Sequence, residues 1–337
     1  MNEVIAEIAG QGWSMCENGS VLCVAVEDTI SVYELKNLQN VKRISTEGDN
    51  CGILPEISEE SARGCDYIRR CEFMQDSDVM CVGYFSGVCD VLNIEKGIRL
   101  DRLQGADSEV KGVGFSADGR LGFSTRDGSV WVWKLNEEGE WEIEEVIEYS
   151  ESDVKTIAWH QNRLVTVGYS NEVVVYSRWE DEMCEVKWEI ESTFKCESCV
   201  WDVGIAEGES TRACVVTQGG YMHVYALKQD GGFFEELSQR ISEYPVISVC
   251  VGECGGEQCF AMIVERCRLV CYSMEGSCLG EWNILTEWEE PVDILYSRAE
   301  KAFFVLSYKI QARKRTSILR KVAVSRGDGV QGVQPAL

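Results

Sequence analysis

The chain contains one alternating strand motif that recurs along most of its length. The copies are TISVYEL (29–35), GVCDVLNI (87–94), GSVWVWKL (128–135), EVVVYS (172–177), GYMHVYAL (220–227) and RLVCYSM (268–274). Equivalent positions are Tyr33, Leu92, Trp133, Tyr176, Tyr225 and Tyr272, and subtraction gives spacings of 59, 41, 43, 49 and 47 residues. A period of about 40 to 45 residues is typical of a four-stranded propeller blade.

Each repeat unit contains four strand-like segments and no helical segment. In the third unit these are VKGVGFS, RLGFST, GSVWVWKL and EWEIEEVIEY. The turns Ala117-Asp118-Gly119 and Arg126-Asp127-Gly128 supply residues that tolerate the positive φ of tight hairpins. The chain has only 4 Pro but 31 Gly, which fits many short strands joined by tight turns. The sequence therefore predicts an all-β fold.

Seven units account for the length of the chain. They are predicted to start near Trp13, Tyr67, Val110, Val154, Val200, Val246 and residue 291. The last unit supplies only three strands of its own, so VIAEIA (4–9) is predicted to complete it and close the ring. We expect one seven-bladed β-propeller over residues 1–324, with an inserted surface loop at 48–65 and a disordered tail at 325–337.

Charge argues against nucleic acid and membranes as partners. The chain carries 57 acidic and 32 basic residues, a net charge of -25, which repels phosphate backbones and anionic lipids. One basic cluster near the C-terminus (Arg313, Lys314, Arg315, Arg320, Lys321) is interpreted as charges that protect a strand edge. Without a signal-peptide pattern or a long apolar run, we expect a soluble, cytoplasmic and possibly nuclear protein.

Catalytic and metal-binding signatures are weak. The only histidines are His160 and His223, both interpreted as structural, and the sequence has no P-loop, dinucleotide fingerprint or HExxH. Cys196 and Cys199 form one C-x-x-C, but a second is missing, whereas closed zinc sites need four converging ligands. Most of the 17 cysteines lie in apolar strands as reduced thiols. We predict no catalytic residues, no metal and no cofactor.

Arg126 is the candidate partner-binding residue. It lies in the short turn between the second and third strands of the third unit, and such turns face one mouth of a propeller ring. An arginine there can offer a bidentate fork to a partner carboxylate. From spacing alone, a solvated turn residue is the more common alternative.

The segment STRDGSVWVWKLNEEGEWEIEEVIEYSESDVKTIAWH (124–160), followed by CVWDVG (199–204), is similar to the WD-repeat protein of the cytosolic iron-sulfur assembly (CIA) targeting complex. The resemblance is specific over the third to fifth units and only architectural elsewhere. It implies a docking protein that joins a small acidic adaptor and a HEAT-repeat scaffold. Together these would deliver [4Fe-4S] clusters to cytosolic and nuclear apo-proteins. It also implies that Arg126 contacts a partner.

This chain departs from the family pattern in one respect. The Gly-His pair that opens a WD repeat is replaced by Gly105-Ala106 and by Lys195-Cys196. Asp127 and Trp133 remain as structural residues of an incomplete polar network. The expected function is a non-enzymatic CIA adaptor. Two alternatives stay open: a WD-repeat subunit of a coat, nuclear-pore or ribosome-assembly complex, and a metal- or cluster-carrying protein.

Overall fold

The computed structural model of this chain describes residues 2–46, 66–148, 152–181, 183, 185–208, 210–228 and 231–324, and the backbone of 52–53. These residues form seven antiparallel sheets arranged in a ring, which confirms the predicted seven-bladed β-propeller. The described part of the chain has no helix able to cross a membrane. The predicted loop at 48–65, apart from 52–53, and the predicted tail at 325–337 lie outside the described residues.

Strands are numbered here in chain order, and blades by their first strand. Blade 1 contains β2 (Gly12–Glu17), β3 (Val21–Val26), β4 (Thr29–Glu34), β5 (Gln39–Ser45) and the short β6 (Gly52–Ile53). Blade 2 contains β7 (Ile68–Phe73), β8 (Val79–Tyr84), β9 (Cys89–Asn93) and β10 (Ile98–Leu103). Blade 3 contains β11 (Val110–Phe115), β12 (Leu121–Thr125), β13 (Ser129–Leu135) and β14 (Trp141–Glu148).

The remaining blades follow the same order. Blade 4 contains β15 (Val154–His160), β16 (Arg163–Gly168), β17 (Glu172–Glu180) and β18 (Val186–Lys195). Blade 5 contains β19 (Val200–Ala206), β20 (Arg212–Thr217), β21 (Tyr221–Leu227) and β22 (Phe233–Arg240). Blade 6 contains β23 (Val249–Cys254), β24 (Glu257–Val264), β25 (Arg268–Ser273) and β26 (Cys278–Asn283). Blade 7 contains β27 (Glu289–Ser297), β28 (Ala302–Gln311), β29 (Lys314–Val322) and β1 (Asn2–Ala9).

Blade 7 closes the ring with both ends of the described chain. Its strand order is β1-β29-β28-β27, so the N-terminal strand is the fourth strand of the last blade, as predicted. Closure also places β29 between β28 and β1. The interpretation of the basic cluster at 313–321 as edge protection is therefore wrong, because β29 is an interior strand once β1 has paired with it.

The hydrophobic core is divided among the blade interfaces. Each of seven clusters of described residues joins two adjacent blades; Leu22 and Phe304 pack between blades 1 and 7, for example, and Cys81 and Phe123 between blades 2 and 3. The first strands of the blades line the central channel and contact one another in order round the ring. Burial of apolar area at every interface makes each blade depend on both neighbours.

Candidate functional site at the mouth of the ring

Six of the seven innermost strands carry a β-bulge near their first residue. The pairing register shifts between the first and third residues in five of these strands, and between Pro291 and Asp293, the third and fifth residues, in β27. The residues in the bulges are Trp13, Arg69, Lys111, Lys155, Trp201 and Val292. A bulge turns one side chain away from the regular alternation of a strand.

All six bulge residues line one cavity of about 270 Å³, at the end of the channel where the innermost strands begin. We call this end the mouth face; it also carries the turn between the second and third strands of every blade. The cavity wall combines cations with aromatic rings, although the whole chain is strongly acidic. Such walls suit ligands that carry carboxylates or aromatic groups.

The cations of the mouth converge on one buried carboxylate, that of Glu109. Arg69 Nε lies 3.1 Å from Glu109 Oε1, and Lys111 Nζ lies 2.6 Å from Glu109 Oε2. Lys111 Nζ also lies 3.5 Å from Asp153 Oδ2. The charge of Glu109 is therefore shared among several cations and fully neutralises none of them.

Arg126 is the outermost of these cations. It lies in the turn between β12 and β13, its backbone N–H donates to Glu109 O at 2.9 Å, and its side chain is 66% exposed. Its Nη1 lies 3.7 Å from Glu109 Oε2, beyond direct hydrogen-bond distance. The guanidinium can thus donate hydrogen bonds to a further carboxylate, supplied by a partner. Partner binding by Arg126 remains a prediction.

Lys155 is held between two aromatic rings. Its Nζ lies 4.4 Å from the ring centroid of Tyr169 and 4.5 Å from that of Trp201, within the range of cation–π contacts. Burial, together with the nearby charges of Lys111 and Arg69, lowers the pKa of Lys155 to about 8. On the other side of the mouth, the Arg69 guanidinium lies 4.6 Å from the centroid of Trp13.

Asp127 and Trp133, predicted to be structural, both lie outside the cavity. Asp127 directly follows Arg126 in the turn, whereas Trp133 pairs with Leu121 at the opposite end of the β12–β13 hairpin. Asp127 Oδ1 accepts hydrogen bonds from the backbone N–H of Ser129 at 3.1 Å and from Ser129 Oγ at 2.8 Å. Burial raises the pKa of Asp127, but hydrogen bonds from Thr125 and Ser129 outweigh it, so the pKa lies below its usual value. Trp133 packs between blades 2 and 3, and its buried Nε1 has no hydrogen-bond partner among the described residues.

The two cysteines of the C-x-x-C motif have different neighbours. Cys196 Sγ lies 3.6 Å from Tyr225 Oη, whereas Cys199 Sγ lies 3.9 Å from Tyr169 O. Among the described residues, no three His, Cys, Asp or Glu side chains are placed to hold a metal ion. His223 lies between two carboxylates. Its Nδ1 lies 2.8 Å from Glu235 Oε1, and its Nε2 lies 2.9 Å from Glu197 Oε2.

Sequence reasoning named Arg126 but missed the residues around it. Arg69, Lys111, Lys155 and Trp201 come from four different blades and meet only in the closed ring. Two signals could have found them. Lys155 and Trp201 lie within the DVK and CVWDVG segments that carry the family resemblance. In a regular strand one residue separates successive core positions, whereas at a bulge two residues separate them, as between Ile68 and Cys71.

No model of a known protein family matches this chain. Three curated proteins do match part of it, and each is named a probable cytosolic iron-sulfur protein assembly protein 1. The protein of Chaetomium globosum is 39% identical over 70 residues, which is 18% of this chain and 16% of the relative. That of Candida glabrata is 32% identical over 84 residues, 22% of this chain and 25% of the relative.

The third, from Botryotinia fuckeliana, is 33% identical over 84 residues, 23% of this chain and 19% of the relative. The chain resembles cytosolic iron-sulfur protein assembly protein 1. The resemblance predicted from residues 124–160 is thereby confirmed. The matched segments cover a quarter or less of the length of these relatives. The similarity therefore does not assign the functions of the whole proteins to this chain.

Proposed function

We propose that this propeller is a non-catalytic adaptor of cytosolic iron-sulfur protein assembly. It would dock protein partners and so help to deliver [4Fe-4S] clusters to cytosolic and nuclear apo-proteins. The names of the three relatives support the process, and the cationic, aromatic mouth around Arg126 supports protein docking. The cluster is cargo in this proposal, and its chemistry is left to the partners.

The mouth suits an acidic protein surface. Arg126 extends from the turn beside Glu109, and Lys155 and Arg69 lie on aromatic faces within the cavity. Arginine and tryptophan dominate the binding energy of many protein interfaces. The partners proposed are a small acidic CIA adaptor, a HEAT-repeat scaffold and the apo-protein clients, met in the cytoplasm and, for some clients, in the nucleus.

The test is purification of the tagged protein and of its Arg126→Glu variant from native cells, followed by quantitative mass spectrometry. We expect CIA factors with the unmodified chain and about a tenfold loss with the variant, because like charges then face each other across the interface. The variant should change the free energy of unfolding by only about 0.5 kcal/mol, because Arg126 is an exposed turn residue.

Lys134→Glu is the matched control, because Lys134 lies on the same blade with a side chain 39% exposed and pairs with the exposed Glu142. It should leave the recovery of CIA factors unchanged. Recovery of coat, nuclear-pore or preribosomal subunits in place of CIA factors would refute the proposed function and leave the propeller intact. An equal loss of CIA factors with both variants would show that Arg126 does not contact the partner.

A further inference from the structure

Three basic residues at the mouth end of blade 7 form no ion pair with a described carboxylate. Arg313, Lys314 and Arg315 lie at the turn between β28 and β29 and are exposed. Among the described residues none of the three forms an ion pair, and Arg315 Nη1 donates to Gln11 Oε1. In a chain of net charge -25, cations normally find acidic neighbours.

The backbone of this turn is held in a conformation that glycine would adopt at lower cost. Ala312 and Arg313 have φ values of 49° and 65°, and the equivalent turn of blade 6 has Glu265 at 49° and Arg266 at 62°. In blades 2 to 5 the corresponding positive-φ positions are held by Gly87, Gly128, Asn171 and Gly220. Left-handed backbone costs a residue with a side chain about 1 kcal/mol. Two adjacent blades thus retain an arginine where glycine would be more stable.

Three large apolar side chains at this end of the molecule are exposed. Trp288 is 75% exposed, Ile310 58% and Tyr244 42%. Trp288 directly precedes Glu289, whose strand partner is Lys309, so Trp288 and Ile310 lie at the same end of blade 7. Most of the surface of a large aromatic side chain is normally buried, and exposed apolar groups bordered by charge mark interaction sites.

Arg266 connects the two blades. Its guanidinium lies 4.8 Å from the ring centroid of Tyr244, and its Nη1 lies 3.5 Å from Glu290 Oε1, two residues after Trp288. The blade 6–7 patch is defined here as Tyr244, Arg266, Trp288, Ile310, Arg313 and Lys314. None of these residues lines the cavity at the mouth.

We propose that the blade 6–7 patch is a second docking surface, for a protein segment that carries carboxylates beside an aromatic or aliphatic side chain. The unpaired guanidinium and ammonium groups select the carboxylates, and Trp288 and Ile310 select the apolar residue. A nucleic acid fits less well, because the field of the whole chain repels a phosphate backbone. The proposal does not depend on the role proposed for Arg126.

The experiment places the photo-crosslinking residue p-benzoylphenylalanine at position 310 of the full chain in native cells and sequences the segment to which it attaches. We expect one dominant protein, attached through a segment with several Asp or Glu residues. Arg313→Glu/Lys314→Glu should lower the yield at least about tenfold, because it reverses the charge that recognises the segment. Substituting lysine for the carboxylates of that segment should restore the yield.

Three further variants separate docking at this patch from folding and from docking at the mouth. Arg313→Gly should raise the midpoint of thermal unfolding by about 1 °C or more, since glycine relieves the positive φ, yet lower the crosslinking yield about fivefold. The control Lys36→Glu/Lys96→Glu makes the same charge change on the opposite face and should leave the yield unchanged. Arg126→Glu should also leave it unchanged, which distinguishes this surface from the mouth.

Absence of any crosslink, attachment to a basic or uncharged segment, or an equal yield from Arg313→Glu/Lys314→Glu would overturn the proposal. Crosslinking to RNA that is lost in the Arg313→Glu/Lys314→Glu variant would identify a nucleic acid as the ligand of this surface. That result would also overturn the proposal.

Discussion

At the scale of single residues, His223 shows how the chain uses a buried ion pair. Burial lowers the pKa of its imidazole, but hydrogen bonds with Cys196, Glu235 and Glu197 outweigh it and raise the pKa to about 9. The ring therefore carries a charge at neutral pH, with a carboxylate at each nitrogen. It joins β21 to β22 and to the connection between blades 4 and 5.

This arrangement predicts a stability contribution that depends on pH. Because the folded pKa lies above the unfolded value of about 6.5, the contribution is complete below pH 6.5 and is lost as the pH rises through about 9. His223→Gln should lower the free energy of unfolding by about 2 kcal/mol at pH 6 and by much less at pH 10. Urea unfolding at both values checks this. An equal loss at pH 6 and pH 10 would contradict it.

At the scale of strands, the repeating pattern of the sequence predicts the blades well. The strands that start blades 3, 4 and 5 begin at Val110, Val154 and Val200, as predicted. Period-two alternation is a local property, so it survives in the sequence of each strand. A bulge is a one-residue break in that alternation, and its consequence appears only when several blades meet. For this reason the mouth cavity was not predicted.

The interpretation of the basic cluster did not follow from the predicted fold. The prediction that residues 4–9 complete the last blade already makes β29 an interior strand, and the structure confirms this pairing. The backbone conformation of the turn between β28 and β29 is a second feature that the sequence does not reveal. Positive φ at Ala312 and Arg313 could not be predicted, because neither residue favours it.

The closing strand β1 provides a prediction at this scale. Ile5 and Ile8 pack against the core between blades 7 and 1, and β1 pairs with β29 from Asn2 to Ala9. Deletion of residues 2–9 should lower the free energy of unfolding by about 3 kcal/mol or more, through lost apolar burial and lost hydrogen bonds. It would also leave β29 as a free edge that can pair with other chains.

Urea unfolding and size-exclusion chromatography measure the two effects. Val4→Thr is the control, because Val4 is 50% exposed and its substitution keeps the strand. A truncated chain that stayed monomeric and as stable as the full chain would show that β1 does not close the ring.

At the scale of the whole molecule, the ring is joined across its axis as well as around it. Arg70 on blade 2 places Nη1 3.6 Å from Asp293 Oδ1 on blade 7 and Nη2 4.0 Å from Asp202 Oδ1 on blade 5. The two carboxylates also join neighbouring blades, since Asp293 Oδ2 accepts from Met15 N–H at 3.0 Å and Asp202 Oδ2 from Val249 N–H at 2.9 Å. One guanidinium therefore connects contacts at two distant blade interfaces.

Removal of Arg70 should leave two buried carboxylates without their cation. Burial raises the pKa of Asp202, with Arg70 opposing it, so the variant should hold a proton there more readily. We expect Arg70→Met to lower the free energy of unfolding by about 3 kcal/mol at pH 7.5. The loss should be smaller at pH 5, where Asp202 holds a proton more readily.

Arg70→Met/Asp293→Asn provides the double-mutant cycle. Because Asn removes one of the two uncompensated charges, the double variant should lose less stability than the sum of the single variants. Strict additivity in urea unfolding would mean that Arg70 and Asp293 act independently. Coupling between them would show that the propeller is stabilised through its centre as well as through its blade interfaces.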